Sequence, residues 1–416
     1  MNDSKVIRFP FHYAWIIAIT GTFCIIACLG FGRFALGMLL PSMAKTLELT
    51  YSQMGFVSTG NFIGYLISVF FSGMIVSKLG QRIFIFFSLL TVGLSMVMLS
   101  FSNNFLYLLI LYWITGLGSG GANVSMMSLV SSWFTRRNRG KGAGLMTIGS
   151  GFAIVFSGIF IPYINQLKGS EGWRFSWFFL GSIVILIALL CLTILRNKPS
   201  DLGLAPLGIE NEKNAENIST QENKPVENIY KSKIIYHLGA IYFLFGYTYV
   251  IYATFIVTTL VKERGFSESL AGNFWSWVGL LSLFSGPVFG IISDKFGRKA
   301  GFIIVFTFQC LSYLLVASKL PGIFLYLSIF CYGFVAWSIP TIMAAAVGDY
   351  VGHQNAAKAF GFITFIFGLG QIIGPAIAGV MAQKTGSFSS SYYMAASFAG
   401  LAILLSMLLK KPKTAV

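Results

Sequence analysis

One arginine stands in the middle of a long apolar run. The stretch "ACLGFGRFALG", Ala27 to Gly37, follows "YAWIIAITGTF" and continues into "MLLPSM", so Arg33 has apolar sequence on both sides. A guanidinium keeps its charge in any protein environment, and its planar fork matches a carboxylate through two parallel hydrogen bonds. Placing it at the centre of a membrane helix costs about 2.5–3.5 kcal/mol on insertion scales, so a partner must offset it. The thirteen acids are badly placed for that role. Six lie in one polar segment (Asp201, Glu210, Glu212, Glu216, Glu222, Glu227), and Asp3 precedes the first apolar run. Glu48, Glu171, Glu263, Glu268, Asp294 and Asp349 sit at the ends of apolar runs or between them. Three kinds of partner remain: carbonyls and hydroxyls, headgroups reached by snorkelling toward the surface, or a bound anion.

Other reactive groupings are missing from the sequence. The five cysteines (Cys24, Cys28, Cys191, Cys310, Cys331) all fall inside apolar runs without zinc-type spacing, and read as small core residues rather than disulfides. The three histidines lie near run ends or in a loop. No Ser/His/Asp or Cys/His pattern appears, so an enzyme, a cofactor and a metal site are not expected. "GLGSGG", Gly116 to Gly121, resembles a dinucleotide fingerprint, but it lies inside an apolar run and lacks the preceding strand that such a site needs. Small residues there let helices approach closely.

The surrounding chain is 416 residues long, 56% hydrophobic and 10% charged. Soluble domains carry about 25% charged residues; this composition is that of a polytopic membrane protein. Twelve apolar runs are long enough to cross a bilayer, at about 12–40, 51–77, 83–101, 105–133, 142–164, 173–195, 234–261, 269–293, 300–318, 321–348, 358–382 and 390–409. The expected fold class is all-α, with twelve transmembrane helices in two six-helix halves, residues 1–196 and 234–416. A polar linker, 197–233, joins them. The halves repeat: "GMIVSKLGQR" begins at Gly73 and "GIISDKFGRK" at Gly290, 217 residues apart. Lys141 and Lys358, and Lys45 and Lys262, show the same separation.

The net charge of +16 comes mainly from short loops without aromatic interleaving, so nucleic acid is not an expected partner. If the chain starts inside, 21 lysines and arginines fall on the inner side and 7 on the outer. That bias predicts a plasma-membrane protein with both termini cytoplasmic.

"GIISDKFGRK" matches the loop motif of the major facilitator superfamily, G-x-x-x-D-[RK]-x-G-[RK]-[RK], between spans eight and nine, and the chain resembles that superfamily throughout. The resemblance implies alternating access through rocking halves and an inner gate built from this motif in both copies. The gate residues would be Gly73, Ser77, Gly80 and Arg82 in one copy, Gly290, Asp294, Gly297 and Arg298 in the other, facing Lys141 and Lys358 at the starts of spans five and eleven. Ser77 stands where the second copy has Asp294, so an asymmetric lock is expected, stronger on the Asp294 side. "YAWIIAITGTF", "GFGRFALGMLLP" and "SSWFTRRNRGKGAGLMTIGSG" further resemble the bacterial monocarboxylate and oxalate/formate branch. Arg33 falls close to where monocarboxylate transporters carry a lysine. That branch also uses a basic residue in span eight, where this sequence has none.

The resulting expectation is a monomeric secondary transporter of a small organic anion, a monocarboxylate first, with Arg33 as charge anchor. A proton or counter-transported anion would provide coupling. Candidate companions are Tyr247, Tyr249 and Tyr252 around the mirror position of Arg33, with Asn61, Asn123, Trp337 and Gln371 from other cavity-lining spans. The alternatives are export of drugs, sugars or other amphiphiles, and a non-transporting scaffold.

Overall fold

The computed structural model describes residues 11–135, 138–208, 229–318 and 320–410. Among the described residues, twelve helices are long and apolar enough to cross a bilayer once the continuous Arg139–Ile194 stretch is divided at its turn. They are α1 (Ala14–Thr46), α2 (Tyr51–Leu79), α3 (Gln81–Leu99), α4 (Phe105–Trp133), α5 (Arg139–Lys168) and α6 (Gly172–Ile194), then α7 (Lys233–Glu263), α8 (Glu268–Phe296), α9 (Arg298–Ala317), α10 (Ile323–Val351), α11 (His353–Thr385) and α12 (Ser389–Met407). A short turn at Gly169–Glu171 separates α5 from α6. Most helices outrun their apolar cores. α1 continues to Thr46 and α5 starts at Arg139, because helix winding persists into polar ends that water or headgroups can solvate.

The repeat is visible in backbone detail. Thr50 caps α2 by accepting from the Gln53 N–H, and Ser267, 217 residues on, caps α8 by accepting from Leu270 N–H. Gly80 and Gly297, again 217 apart, carry the α2–α3 and α8–α9 corners at φ +77° and +90°. A side chain is strained there, and glycine is not.

Two helices depart from regular winding. Residues Ile26–Phe34 of α1 are wound as a π-helix, with the Ala35 N–H donating to the Gly30 carbonyl. Two carbonyls of this stretch accept from side chains: Asn61 of α2 donates to Gly32 (3.3 Å), and the Tyr112 hydroxyl of α4 to Arg33 (3.0 Å). α10 breaks between Val335 and Ser338. Pro340 in the following turn has no N–H to return to the carbonyl of Ala336, which favours the break. The break is stapled to α8, with the Trp337 N–H donating to Ser285 Oγ (3.1 Å) and the Ser338 hydroxyl to the Ser285 carbonyl (3.0 Å).

The helix ends next to the linker define the linker side, and the opposite ends define the far side. Residues 209–228, the middle of the expected linker, lie outside the described residues, as do Arg136 and Arg137. The linker's first residues run along the α4–α5 loop, where Leu207 N–H donates to the Trp133 carbonyl (2.9 Å) and Thr135 N–H to that of Leu207 (3.2 Å).

On the far side the two sets of six helices touch closely. A Cβ at Gly55 would stand 2.4 Å from the Pro375 carbonyl oxygen, and one at Gly272 2.2 Å from that of Gly158. These contacts, α2 on α11 and α8 on α5, are equivalent under the 217-residue repeat. Toward the linker side, Gly144 on α5 and its equivalent Gly361 on α11 have open space beside them. The molecule is closed on the far side and open toward the linker.

Candidate functional site

Arg33 lies on the π-wound stretch of α1, held inside the bundle instead of reaching for the surface. Its guanidinium carbon sits 4.1 Å from the Tyr65 ring centroid and 4.6 Å from that of Phe62. Both rings belong to α2, three residues apart on one face. Ring faces attract a cation and suit the flat guanidinium, worth about 2 kcal/mol when desolvated. Asn123 of α4 fixes the Tyr65 ring by donating to its hydroxyl (2.7 Å). Arg33 Nε and Nη2 are nonetheless buried without a hydrogen-bond partner among the described residues. None of the three ion pairs seen there involves it.

The opposing wall is aromatic and uncharged. Trp337, at the α10 break, packs 5.1 Å from the Phe34 ring and 5.9 Å from the Tyr249 ring. Tyr249 of α7 stacks on Phe245 and Phe367, and its hydroxyl accepts a hydrogen bond from Gln371 of α11. The Trp337 indole N–H is buried and unpartnered. Beyond Arg33 toward the far side lies a narrow void bordered by Gly37, Asn61, Tyr112 and Thr254. It has room for water rather than an organic ion, so any ligand of Arg33 reaches it from the linker side.

The expected site residues separate into groups. Arg33, Tyr249, Trp337 and Gln371 come together, and Asn123 supports Tyr65. Asn61 is a strut, donating to the Gly32 and Tyr112 carbonyls (3.3 and 3.2 Å). Tyr247 and Tyr252 are turned away. Tyr247 donates to Met394 Sδ and packs on Phe398 of α12, whereas Tyr252 bonds Ser328 and stacks on Tyr332 inside the second six-helix set. One helix cannot aim positions 247, 249 and 252 at the same point, because each residue advances about 100°. The sequence reading missed Phe62 and Tyr65. Their signal was an aromatic pair at i, i+3 beside Asn61, facing the helix that carries the only deep cation.

The gate candidates lie at the linker-side ends. Asp294 pairs with Arg298, which also holds Asp349 (2.6 Å). Asp294 is thus engaged within its own six-helix set rather than at the start of α5. Asp349 was not singled out from the sequence as part of this cluster. In the first copy, the Ser77 hydroxyl donates to the Met74 carbonyl (2.8 Å) and Gln81 to Ser128 (3.0 Å). Arg82 donates through Nε to the Leu192 carbonyl (2.7 Å), and its N–H to Asn197, whose side chain also lies against Gly80. Gly73 has open space around it, and Gly290 faces Thr341. Lys141 is exposed, and Lys358 sits 5.2 Å over the Tyr230 ring.

Comparison with known proteins fits this architecture. The chain is 26% identical over 400 residues to a hexuronate transporter of Bacillus subtilis (strain 168), covering 89% of this chain and 90% of that protein. It is 25% identical over 380 residues to monocarboxylate transporter 2 of Mesocricetus auratus, covering 86% and 76%. Among solved structures, a bacterial homologue of the human lysosomal transporter Spinster, in an inward-facing conformation, superposes with a TM-score of 0.74 at 15% identity, covering 95% and 96%. Residues 25–407 match the family model described as uncharacterised MFS-type transporter YbfB. The chain belongs to that MFS-type transporter family, and its twelve helices are the major facilitator fold.

Proposed function

We propose that this protein is a secondary transporter of small organic anions, a monocarboxylate first, that works by alternating access with Arg33 as the charge anchor. One observation carries the reading: a permanently charged guanidinium on the linker-open pathway, with Nε and Nη2 buried and unpartnered. A buried donor without an acceptor is costly, and a substrate carboxylate would satisfy both. Relatives named as hexuronate and monocarboxylate transporters support an acidic cargo. The choice of a monocarboxylate rests on the walls. One cation faces the site, and the opposite side offers rings and an indole N–H rather than a second charge. The site of a polyhydroxylated acid would need more hydrogen-bonding groups.

The two transporting units are residues 1–196 and 234–416, joined by the linker 197–233. The excess of lysine and arginine supports a cytoplasmic linker side, at the plasma membrane. Closure on that side would bring Asp294 toward the positive start of α5 and Ser77 toward that of α11, the stronger lock being the charged one. The test is uptake of labelled lactate, pyruvate and formate into proteoliposomes. Wild-type protein is expected to carry at least one of them and Arg33→Ala none. Full anion flux in Arg33→Ala would remove the anchor, and flux of lipophilic cations alone would make the protein an exporter of amphiphiles.

A further inference from the structure

We propose that Glu268 is a proton-binding site that latches the far-side gate: ionised, it holds the gate shut, and protonated, it releases it. Glu268 is the first residue of α8, and both of its carboxylate oxygens are used across the gap between the six-helix sets. The Ser42 hydroxyl of α1 donates to Oε1 (2.8 Å), and Asn165 of α5 donates to Oε2 (2.6 Å). Asn165 also donates to Ser42 Oγ (2.8 Å), which closes a ring of three residues from three helices. Four further hydrogen bonds that cross the gap on this side use neutral groups. They are Tyr51 N–H to Gln383 (3.0 Å), Ser58 with Thr254 (3.2 Å), Thr59 to the Ile372 carbonyl (2.9 Å) and Ser276 to the Val155 carbonyl (3.2 Å). The Tyr51 side chain of α2 also faces the Glu263 carboxylate of α7 across the gap, so two carboxylates stand at this seam, and the Glu268 ring is the one that ties three helices together.

The sign follows from the donors. Hydrogen bonds to an ionised carboxylate are about twice as strong as neutral ones. A proton on Oε1 would be donated to the Ser42 hydroxyl, which accepts as well as donates, so the ring can persist, but both cross-gap bonds lose their charge and about half their strength. The charged groups on the neighbouring helix ends are otherwise engaged or out of reach. Arg264 donates to the Val316 and Ser318 carbonyls, and Glu263 accepts from Phe388 N–H and Ser387. Lys262 lies 4.3 Å over the Tyr51 ring, and Lys168 lies 5.6 Å over that of Phe175. Lys45 on α1, like these, forms no ion pair with Glu268. The latch rests on alternating access, not on the identity of the cargo, and can be tested without any substrate.

The experiment is double electron–electron resonance between nitroxides on Ser170→Cys and Lys384→Cys, exposed far-side positions in opposite halves, with the five native cysteines replaced by alanine. The wild-type protein is expected to show the long-distance, far-side-open population growing as pH falls from about 7.5 to about 4.5. Glu268→Gln, a mimic of the protonated form, is expected to hold that population at least about threefold above wild type at the higher pH, with no pH response. Asn165→Ala, which leaves the carboxylate intact, should raise it at the higher pH as well. A wild-type distance distribution insensitive to pH overturns the latch. So does a Glu268→Gln protein that keeps the wild-type response, or one that stays as closed as wild type.

Discussion

The two walls of the central site are copies of one ancestral set of six helices, yet they have diverged reciprocally. Under the 217-residue repeat, Arg33 corresponds to Val250, Phe62 to Gly279 and Tyr65 to Ser282. In the other direction, Tyr249 corresponds to Gly32, Trp337 to Gly120 and Gln371 to Ile154. Where one wall carries one of these charged, polar or large aromatic side chains, the other carries a small or aliphatic one. The first wall supplies charge, with two rings to seat it. The second supplies aromatic surface and one indole N–H. A ligand that must touch both halves to couple them would therefore need an anionic head and an apolar body, and would lie in one orientation only. The linker-side ends show the opposite bias. The second half has the Asp294–Arg298–Asp349 cluster, whereas the equivalent positions in the first are Ser77, Gln81 and Ser132.

Variants can break this division of labour, and their expected effects fall in a clear order. Arg33→Ala should reduce anion uptake at least about 100-fold, since losing charge-assisted hydrogen bonds removes roughly 1.5–3 kcal/mol each; uptake by Arg33→Lys should fall between the two. Trp337→Leu should raise KM for the anion by about tenfold, as removal of an anchoring aromatic does at well-packed sites. Trp337→Phe would show how much of that belongs to the ring and how much to the N–H. Tyr249→Phe, which leaves the ring stack and frees Gln371, should change uptake by only a fewfold, about the value of one neutral hydrogen bond. Smallest of all is Asp294→Asn. Asp294 is 66% exposed in its pair with Arg298, and exposed pairs contribute about 0–1 kcal/mol. Its thermal midpoint should barely move, while the balance between linker-open and linker-closed states, read by distance measurements, should shift toward open. If Trp337→Leu were to cost more than Arg33→Ala, the assignment of head and body to the two walls would be reversed.

Much of this was legible in the sequence. The span count, the repeat and the special place of Arg33 follow from hydropathy and charge. The stretches "YAWIIAITGTF" and "SSWFTRRNRG", two of those that carry the resemblance to one transporter branch, meet in space. Trp15 packs edge-on against Phe134 at 5.5 Å, and Tyr13 lies 5.5 Å from Trp133. What could not be read were rotations about helix axes. Three tyrosines within six residues of α7 looked equivalent, and only Tyr249 faces the site. The winding of α1 was also hidden. A π-wound stretch shifts every later residue around the axis, so the direction of Arg33 cannot be counted from the start of α1 as if the helix were regular. Phe62 and Tyr65 were overlooked because an aromatic on a membrane span is ordinarily packing, and only the position of the guanidinium distinguishes them.

The glycine contacts on the far side have a consequence for how finely this transporter is balanced. Gly55 meets the Pro375 carbonyl and Gly272 meets that of Gly158 with no space for even one carbon atom between them. A lone methyl group at either position is a wedge, and it sits far from Arg33. Gly55→Ala or Gly272→Ala, the smallest change possible at a glycine, is therefore expected to shift the resting posture toward far-side-open, read by distance measurements, with the anion KM unchanged.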